Sequence, residues 1–168
     1  MLFTANYRSP LGDITLASDG QALAGLWLDG QRHFGSTLGI THEERSGLPV
    51  FEESCRWLDV YFSSREPDFM PSLSLRGTPF QQRVWEALLT IPYGQTVTYG
   101  ELARRIDCRS AQAVGGAVGR NPISIIVPCH RVVGTARAND DLPLRGYAGG
   151  LDRKRTLLQL EQKKYFAN

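Results

Sequence analysis

No stretch of this 168-residue sequence approaches the roughly 20 consecutive apolar residues that span a bilayer, so a membrane-spanning helix is excluded. The opening residues Met1 to Pro10 lack a basic run followed by an apolar stretch, and a cytoplasmic protein is expected. Cysteine is scarce. Cys55, Cys108 and Cys129 are odd in number, widely spaced and without Cys-x-x-Cys or His-x-x-x-His company, which argues against a disulfide framework and against a zinc site. A large excess of one charge is also missing: 19 Lys and Arg face 17 Asp and Glu. That balance hides an asymmetry. Residues 1–75 hold 5 basic and 10 acidic side chains, whereas residues 76–168 hold 14 and 7. A positive half suits a polyanionic partner, because each phosphate neutralised releases counterions; a solvated basic surface is the plainer alternative.

What is present reads as two units with a boundary near residue 75. Residues 2–28 alternate around Ser9-Pro10-Leu11-Gly12 and Asp19-Gly20, which predicts three short antiparallel strands. Phe51, Cys55, Leu58 and Phe62 then recur at helical spacing and would lay one apolar face on that sheet. Residues 64–77 contain two prolines and read as a connection with room for one short strand. Thr78-Pro79-Phe80-Gln81 is a capping box that opens a helix, and Thr98-Tyr99-Gly100-Glu101 is a second. Asp107-Cys108-Arg109 makes a turn, and Ser110 caps a further helix with inner positions Ala111, Val114, Gly115 and Val118. The pattern is helix, tight turn, helix. Arg104, Arg105, Arg109 and Arg120 give it a phosphate-contacting character, although an ordinary helical hairpin has the same spacing.

The stretch Asn121-Pro-Ile-Ser-Ile-Ile-Val-Pro-Cys-His-Arg-Val-Val133 delivers a Cys-His pair at the end of an apolar run. Pro128 presets the backbone before Cys129, and His130 and Arg131 supply positive potential that favours thiolate over thiol. On an extended segment the two side chains would point apart, so proton exchange between them needs a bridging water or a tight turn. Glu161, on the last amphipathic helix, could orient the imidazole from its far nitrogen. A buried cysteine beside a structural histidine is the alternative that these residues leave open.

Pro128-Cys129-His130-Arg131-Val132, preceded by Gly115-Gly116-Ala117 and Asn121-Pro122 and followed by Tyr147-Ala148-Gly149-Gly150, resembles the O6-alkylguanine-DNA alkyltransferases. The resemblance runs from Gly77 to Glu161, with a weaker match over residues 1–75. It implies an α+β protein: a ribonuclease-H-like N-terminal unit, with a three-stranded antiparallel sheet plus helix, and a mainly helical, winged-helix-like C-terminal domain with a helix-turn-helix. It implies stoichiometric transfer of an alkyl group from O6-alkylguanine, and from O4-alkylthymine, in double-stranded DNA to Cys129, without a cofactor, by a monomer that joins the nucleoid when bound. His130 matches the water-assisted base, Glu161 its partner, Asn121 the brace of the active-site turn, and Tyr99 the donor to guanine N3. The lesion would be flipped out of the duplex, because its O6 substituent is unreachable in the stack. Tyr147 would pack on the flipped base, backbone groups of Val132, Ala148 and neighbouring Gly149 would meet its edge, and Val118 would wall the pocket. Ser110, Ala111, Gln112, Gly115, Arg120 and Arg131 would face DNA.

Three features depart from the family pattern. Gln112 stands where an arginine usually enters the base stack, and it lacks the charge and planar stacking surface of guanidinium. The segment 134–146 is longer than expected, and Ser124 replaces a proline found in some relatives. A cysteine hydrolase using Cys129 and His130 and a non-catalytic reader of alkylated bases are the competing functions. The first would turn over repeatedly, and the second would have no use for Cys129.

Overall fold

The computed structural model describes residues 1–135 and 146–166, with side chains up to Gln162. Strands β1 (Leu2–Ser9), β2 (Gly12–Ser18) and β3 (Leu23–Leu28) form the expected antiparallel meander. A fourth strand, β4 (His42–Glu44), adds to the free edge of β1 in parallel, giving the order β3-β2-β1-β4. The three-stranded expectation is corrected on this point. His42, Glu43 and Glu44 are all exposed, so no apolar alternation marks the strand; backbone pairing with Leu2 to Thr4 holds it. Every residue of β3 is buried, and its outer edge is covered at Leu23 by Leu73, through the Leu23 N–H to Ser72 and Ser74 N–H to Leu23 hydrogen bonds of 2.7 and 2.8 Å, and at Leu26 by Ile123.

Helix α1 (Pro49–Phe62) covers the sheet with Val50, Phe51, Ser54, Trp57, Leu58 and Tyr61. This stripe follows the 3.6-residue period but is rotated from the expected one, and Cys55 and Phe62 end up only half-buried. Helix α2 (Pro79–Leu88) opens with the Thr78 capping box, in which Thr78 accepts from the Gln81 N–H and Gln81 accepts from the Thr78 N–H. Strand β5 (Val97–Thr98) leads straight into α3 (Tyr99–Arg105), capped in the same way by Thr98 and Glu101. Asp107 takes a left-handed conformation in the turn, at φ 59°, and Ser110 caps α4 (Ala111–Gly119) through a 3.0 Å bond from the Ala113 N–H. Val114, Ala117 and Val118 face inward, but Ala111, expected to do so, is exposed at the helix start. The Trp85 indole N–H donates to the Ala117 carbonyl at 2.8 Å and ties α2 to α4.

After α4 the chain reaches a 3-10 turn, Cys129–Arg131, and a short strand β6 (Val132–Val133) that pairs in parallel with β5. Helix α5 (Leu151–Phe166) closes the structure. One continuous apolar core runs from Ile14, Leu16 and Leu26 through Leu58 and Trp85 to Val127 and Leu157. Its reach across both halves means that the sheet buttresses the segment carrying Cys129. Among the described residues, no helix is long and apolar enough to cross a membrane.

Candidate active site

Three devices shape the turn that presents Cys129. Asn121, buried after α4, donates from its amide to the carbonyls of Ile123 (3.2 Å) and Val127 (2.8 Å) and accepts from the Ile123 N–H (3.0 Å). Leu26 of β3 donates to the Pro122 carbonyl and accepts from the Ser124 N–H, both at 2.9 Å, so the sheet grips the same loop. Gln31 accepts from the Ser124 hydroxyl at 3.2 Å. Between these clamps Ile125 sits at φ 72°, a conformation that a β-branched residue adopts only when its surroundings force it. The turn is thereby fixed before the reactive residues are reached.

Pairing of β5 with β6 sets Tyr99 beside Cys129, because one strand runs directly into Tyr99 and the other leaves directly from the 3-10 turn. Cys129 is buried at the floor of a cavity of about 340 Å³ whose walls include Tyr99, Val118, Tyr147 and Ala148. Gly149 passes beneath Tyr147: a Cβ there would lie 2.7 Å from the tyrosine ring and 3.1 Å from Leu28. Gly115 lies under Tyr99 in similar fashion, with room for an added Cβ at 3.6 Å. Ala148 accepts from the Arg32 N–H at 2.9 Å, and Arg32 and His33 reach the cavity mouth from the N-terminal half.

Behind Cys129 lies a buried charge network. His130 Nε2 is 2.5 Å from Glu161 Oε2, and neither side chain is solvent-exposed. Glu161 Oε1 accepts from Arg131 Nε at 2.8 Å and from the Gly94 N–H at 3.0 Å, while the Tyr61 hydroxyl donates to Oε2 at 2.6 Å. Burial works to raise the Glu161 carboxyl, but the neighbouring His130 and Arg131 outweigh it and hold it well below the usual range. Burial depresses His130 more than Glu161 raises it, with Arg131 and Lys154 adding to the depression. We take the imidazole as neutral and Glu161 as ionised, because burial and the Arg131 and Lys154 charges oppose an imidazolium while a neutral ring still donates its Nε2–H to the carboxylate. The His130 Nδ1 atom is buried and has no hydrogen-bond partner among the described residues.

Burial pushes the Cys129 thiol up, opposed by the Asn121 side chain, the Lys154 charge and local backbone N–H groups. The resting sulfur is therefore a thiol, and a base is needed to make it a nucleophile. Lys154 is fully buried on α5 and donates to the carbonyls of Val132 (2.6 Å) and Gly146 (3.1 Å). Burial brings its ammonium down to about 8. Tyr99 is pushed up to about 12, first by burial and then by Cys129, so its hydroxyl keeps its proton at neutral pH.

The structure brings Cys129, His130, Glu161, Asn121, Tyr99, Tyr147, Ala148, Gly149, Val132 and Val118 around one cavity and its backing turn. Ser110, Ala111, Gln112 and Arg120 are exposed on or beside α4, and Gly115 is half-buried. Arg131 departs from expectation. It is 8% exposed, bonded to Glu161 and, at 2.7 Å, to the Ile91 carbonyl, so it supports the network and cannot reach a phosphate. Most of the long segment 134–146 lies outside the described residues. Tyr61, Lys154, Gly94 and Arg32 were not found from sequence. Tyr61 belongs to an ordinary helical stripe and Gly94 acts through its backbone, and neither signal distinguishes them.

A helix-turn-helix pair with exposed arginines, beside a cavity lined by a buried cysteine, fits one class: DNA-modifying proteins. The family models agree. One described as 6-O-methylguanine DNA methyltransferase, DNA binding domain, matches residues 79–163, and one described as its ribonuclease-like domain matches residues 2–75. The chain belongs to the 6-O-methylguanine DNA methyltransferase family. It is 45% identical to the methylated-DNA–protein-cysteine methyltransferase of Mycobacterium leprae, over 96% of this chain and 93% of that one. The protein of that name from Haemophilus influenzae is 41% identical, with 98% and 88% covered. The crystal structure of Mycobacterium tuberculosis OGT in complex with DNA superposes with a TM-score of 0.83 at 44% identity, covering 97% of this chain and 93% of that one.

Proposed function

We propose that this protein repairs double-stranded DNA directly, moving the alkyl group of O6-alkylguanine, and of O4-alkylthymine, onto its own Cys129. The observation that carries this reading is the buried Cys129 at the cavity floor, backed by the His130–Glu161 pair at 2.5 Å. The flipped base stacks on Tyr147 against Val118, with the backbone of Val132, Ala148 and Gly149 along its edge. His130 Nδ1 takes the thiol proton through a bridging water, since the Nε2 side is committed to Glu161. Sγ then forms a bond to the alkyl carbon as the carbon–O6 bond breaks, and its electron pair goes to guanine. Tyr99 donates toward N3 so that the base leaves neutral. Overall, one methyl group passes from oxygen to sulfur and one proton from thiol to base. No cofactor takes part. A thioether has no ready leaving path, so each molecule acts once.

Ser110, Ala111, Gln112, Gly115 and Arg120 form the DNA-facing surface in this reading, and the chain divides into a 1–75 unit and a 76–168 DNA-binding and acceptor unit. The protein works as a monomer in the cytoplasm, on the nucleoid when bound, because that is where its substrate lies. The test is intact mass after incubation with a duplex holding one O6-methylguanine. One methyl group added to the native chain and none to Cys129→Ala supports the reading. Tight lesion binding without added mass would instead make it a reader of damage.

A further inference from the structure

Tyr61 is the unexpected member of the site. It comes from α1, far in sequence from the cysteine, yet its hydroxyl donates to Glu161 Oε2 at 2.6 Å and lies 3.4 Å from His130 Nε2. Its ring is fully buried, stacked on Trp57 at 5.2 Å and met edge-on by Phe62 and Tyr93. The packing fixes where the hydroxyl oxygen sits, within reach of Glu161 Oε2. A carboxylate offers about four acceptor positions, and here Tyr61, His130, Arg131 and the Gly94 N–H address it together. Two donors fall on each oxygen. Oε2 is the oxygen that Tyr61 and His130 share.

We propose that Tyr61 is a positioning residue for alkyl transfer: by sharing Glu161 Oε2 with His130, it limits how tightly the carboxylate holds the imidazole proton and keeps His130 neutral. This inference rests on the reading of His130 as the base toward Cys129. An ionised carboxylate left to His130 alone would stabilise imidazolium, which cannot accept the thiol proton. A third donor on a carboxylate already facing Arg131 weakens that pull without losing the alignment. The groups facing His130 are Glu161 and Lys154 from α5, Arg131 from its own turn and Tyr61 from α1, with Tyr93 and Tyr147 close behind Tyr61. Of these, Arg131 and Lys154 also oppose the imidazolium, so Tyr61 adds to a bias already present. Its phenol stays protonated throughout the working range, since burial and Glu161 hold it well above the ordinary value.

The experiment is the pH profile of the single-turnover rate on O6-methylguanine duplex, for the full-length native chain and for Tyr61→Phe. The expected result is an acid limb shifted upward by about half to one unit, with a rate several-fold lower near pH 6.5 that converges on the native rate near pH 8.5. Replacing Tyr61 with a fluorotyrosine, a more acidic and stronger donor, shifts the limb the other way, and serves alone if Tyr61→Phe does not fold. An unmoved limb in the variants overturns the inference, including the case where the rate falls equally at every pH. If the native chain transfers no methyl group at all, the underlying function fails instead, and the two failures are thereby told apart.

Discussion

Cys129 and His130 are consecutive, and in an extended chain their side chains would diverge. The 3-10 turn resolves this by rotating successive residues about 120°, so that Cys129 faces the cavity while His130 faces Glu161. The sequence already required either such a turn or a bridging water, and Pro128 with the Asn121 brace explains why the turn forms. Arg131 shows where the resemblance misleads: it implied a DNA contact, but a buried carboxylate 2.8 Å away makes the arginine a structural counter-charge. Gln112 is the residue whose consequence is most open to measurement. It is exposed on α4 and has neither the charge nor the stacking plane of arginine. Gln112→Arg is expected to tighten binding to lesion duplex and speed single-turnover repair by about tenfold, the scale of one stacked, charged contact. Equal affinity and rate, measured by anisotropy and quenched flow, would show that glutamine already serves.

At the scale of elements, capping chemistry did most to make the fold legible. Thr78, Thr98 and Ser110 each accept the backbone N–H that their sequence position promised, and the three helix starts follow. The same logic could not reveal β4, whose three exposed polar residues are held by backbone pairing alone. Nor could it reveal Tyr61, because a helical stripe says which side chains are inside and not what they touch. The α3–α4 pair presents Arg104, Arg105, Arg109 and Arg120 to solvent, with the turn between the helices held by the Cys108 N–H to Ala103 bond of 2.8 Å. Replacing one of these arginines by alanine should lower the slope of log affinity against log salt by about 0.9 for each phosphate it no longer neutralises, equally for intact and lesion DNA. A slope unchanged in all four variants would place the DNA elsewhere.

At the scale of the molecule, the N-terminal half helps build the site. It supplies Leu26 and Gln31 to the active-site turn, Arg32 to the cavity mouth and Tyr61 to the charge network. Glu161 is one of the points where the halves meet, and removing it would strand Arg131 without its carboxylate partner in the interior. Glu161→Ala is expected to cost about 3–5 kcal/mol at neutral pH by urea unfolding. The sign with pH follows from a folded carboxyl held below its unfolded value of about 4.3: the stabilisation is complete above that value and drains away as pH falls below it. The gap between native and variant should therefore narrow on acidification below about pH 4, and a constant gap would mean that Glu161 acts by packing alone. The central claim, a self-consuming transfer to Cys129, is tested most directly by stoichiometry. With lesion duplex in large excess, restored guanine should rise to one per protein molecule and stop, with the methyl group on the peptide containing Cys129. Restoration that continues past one equivalent, or a methyl group found elsewhere, would contradict the account.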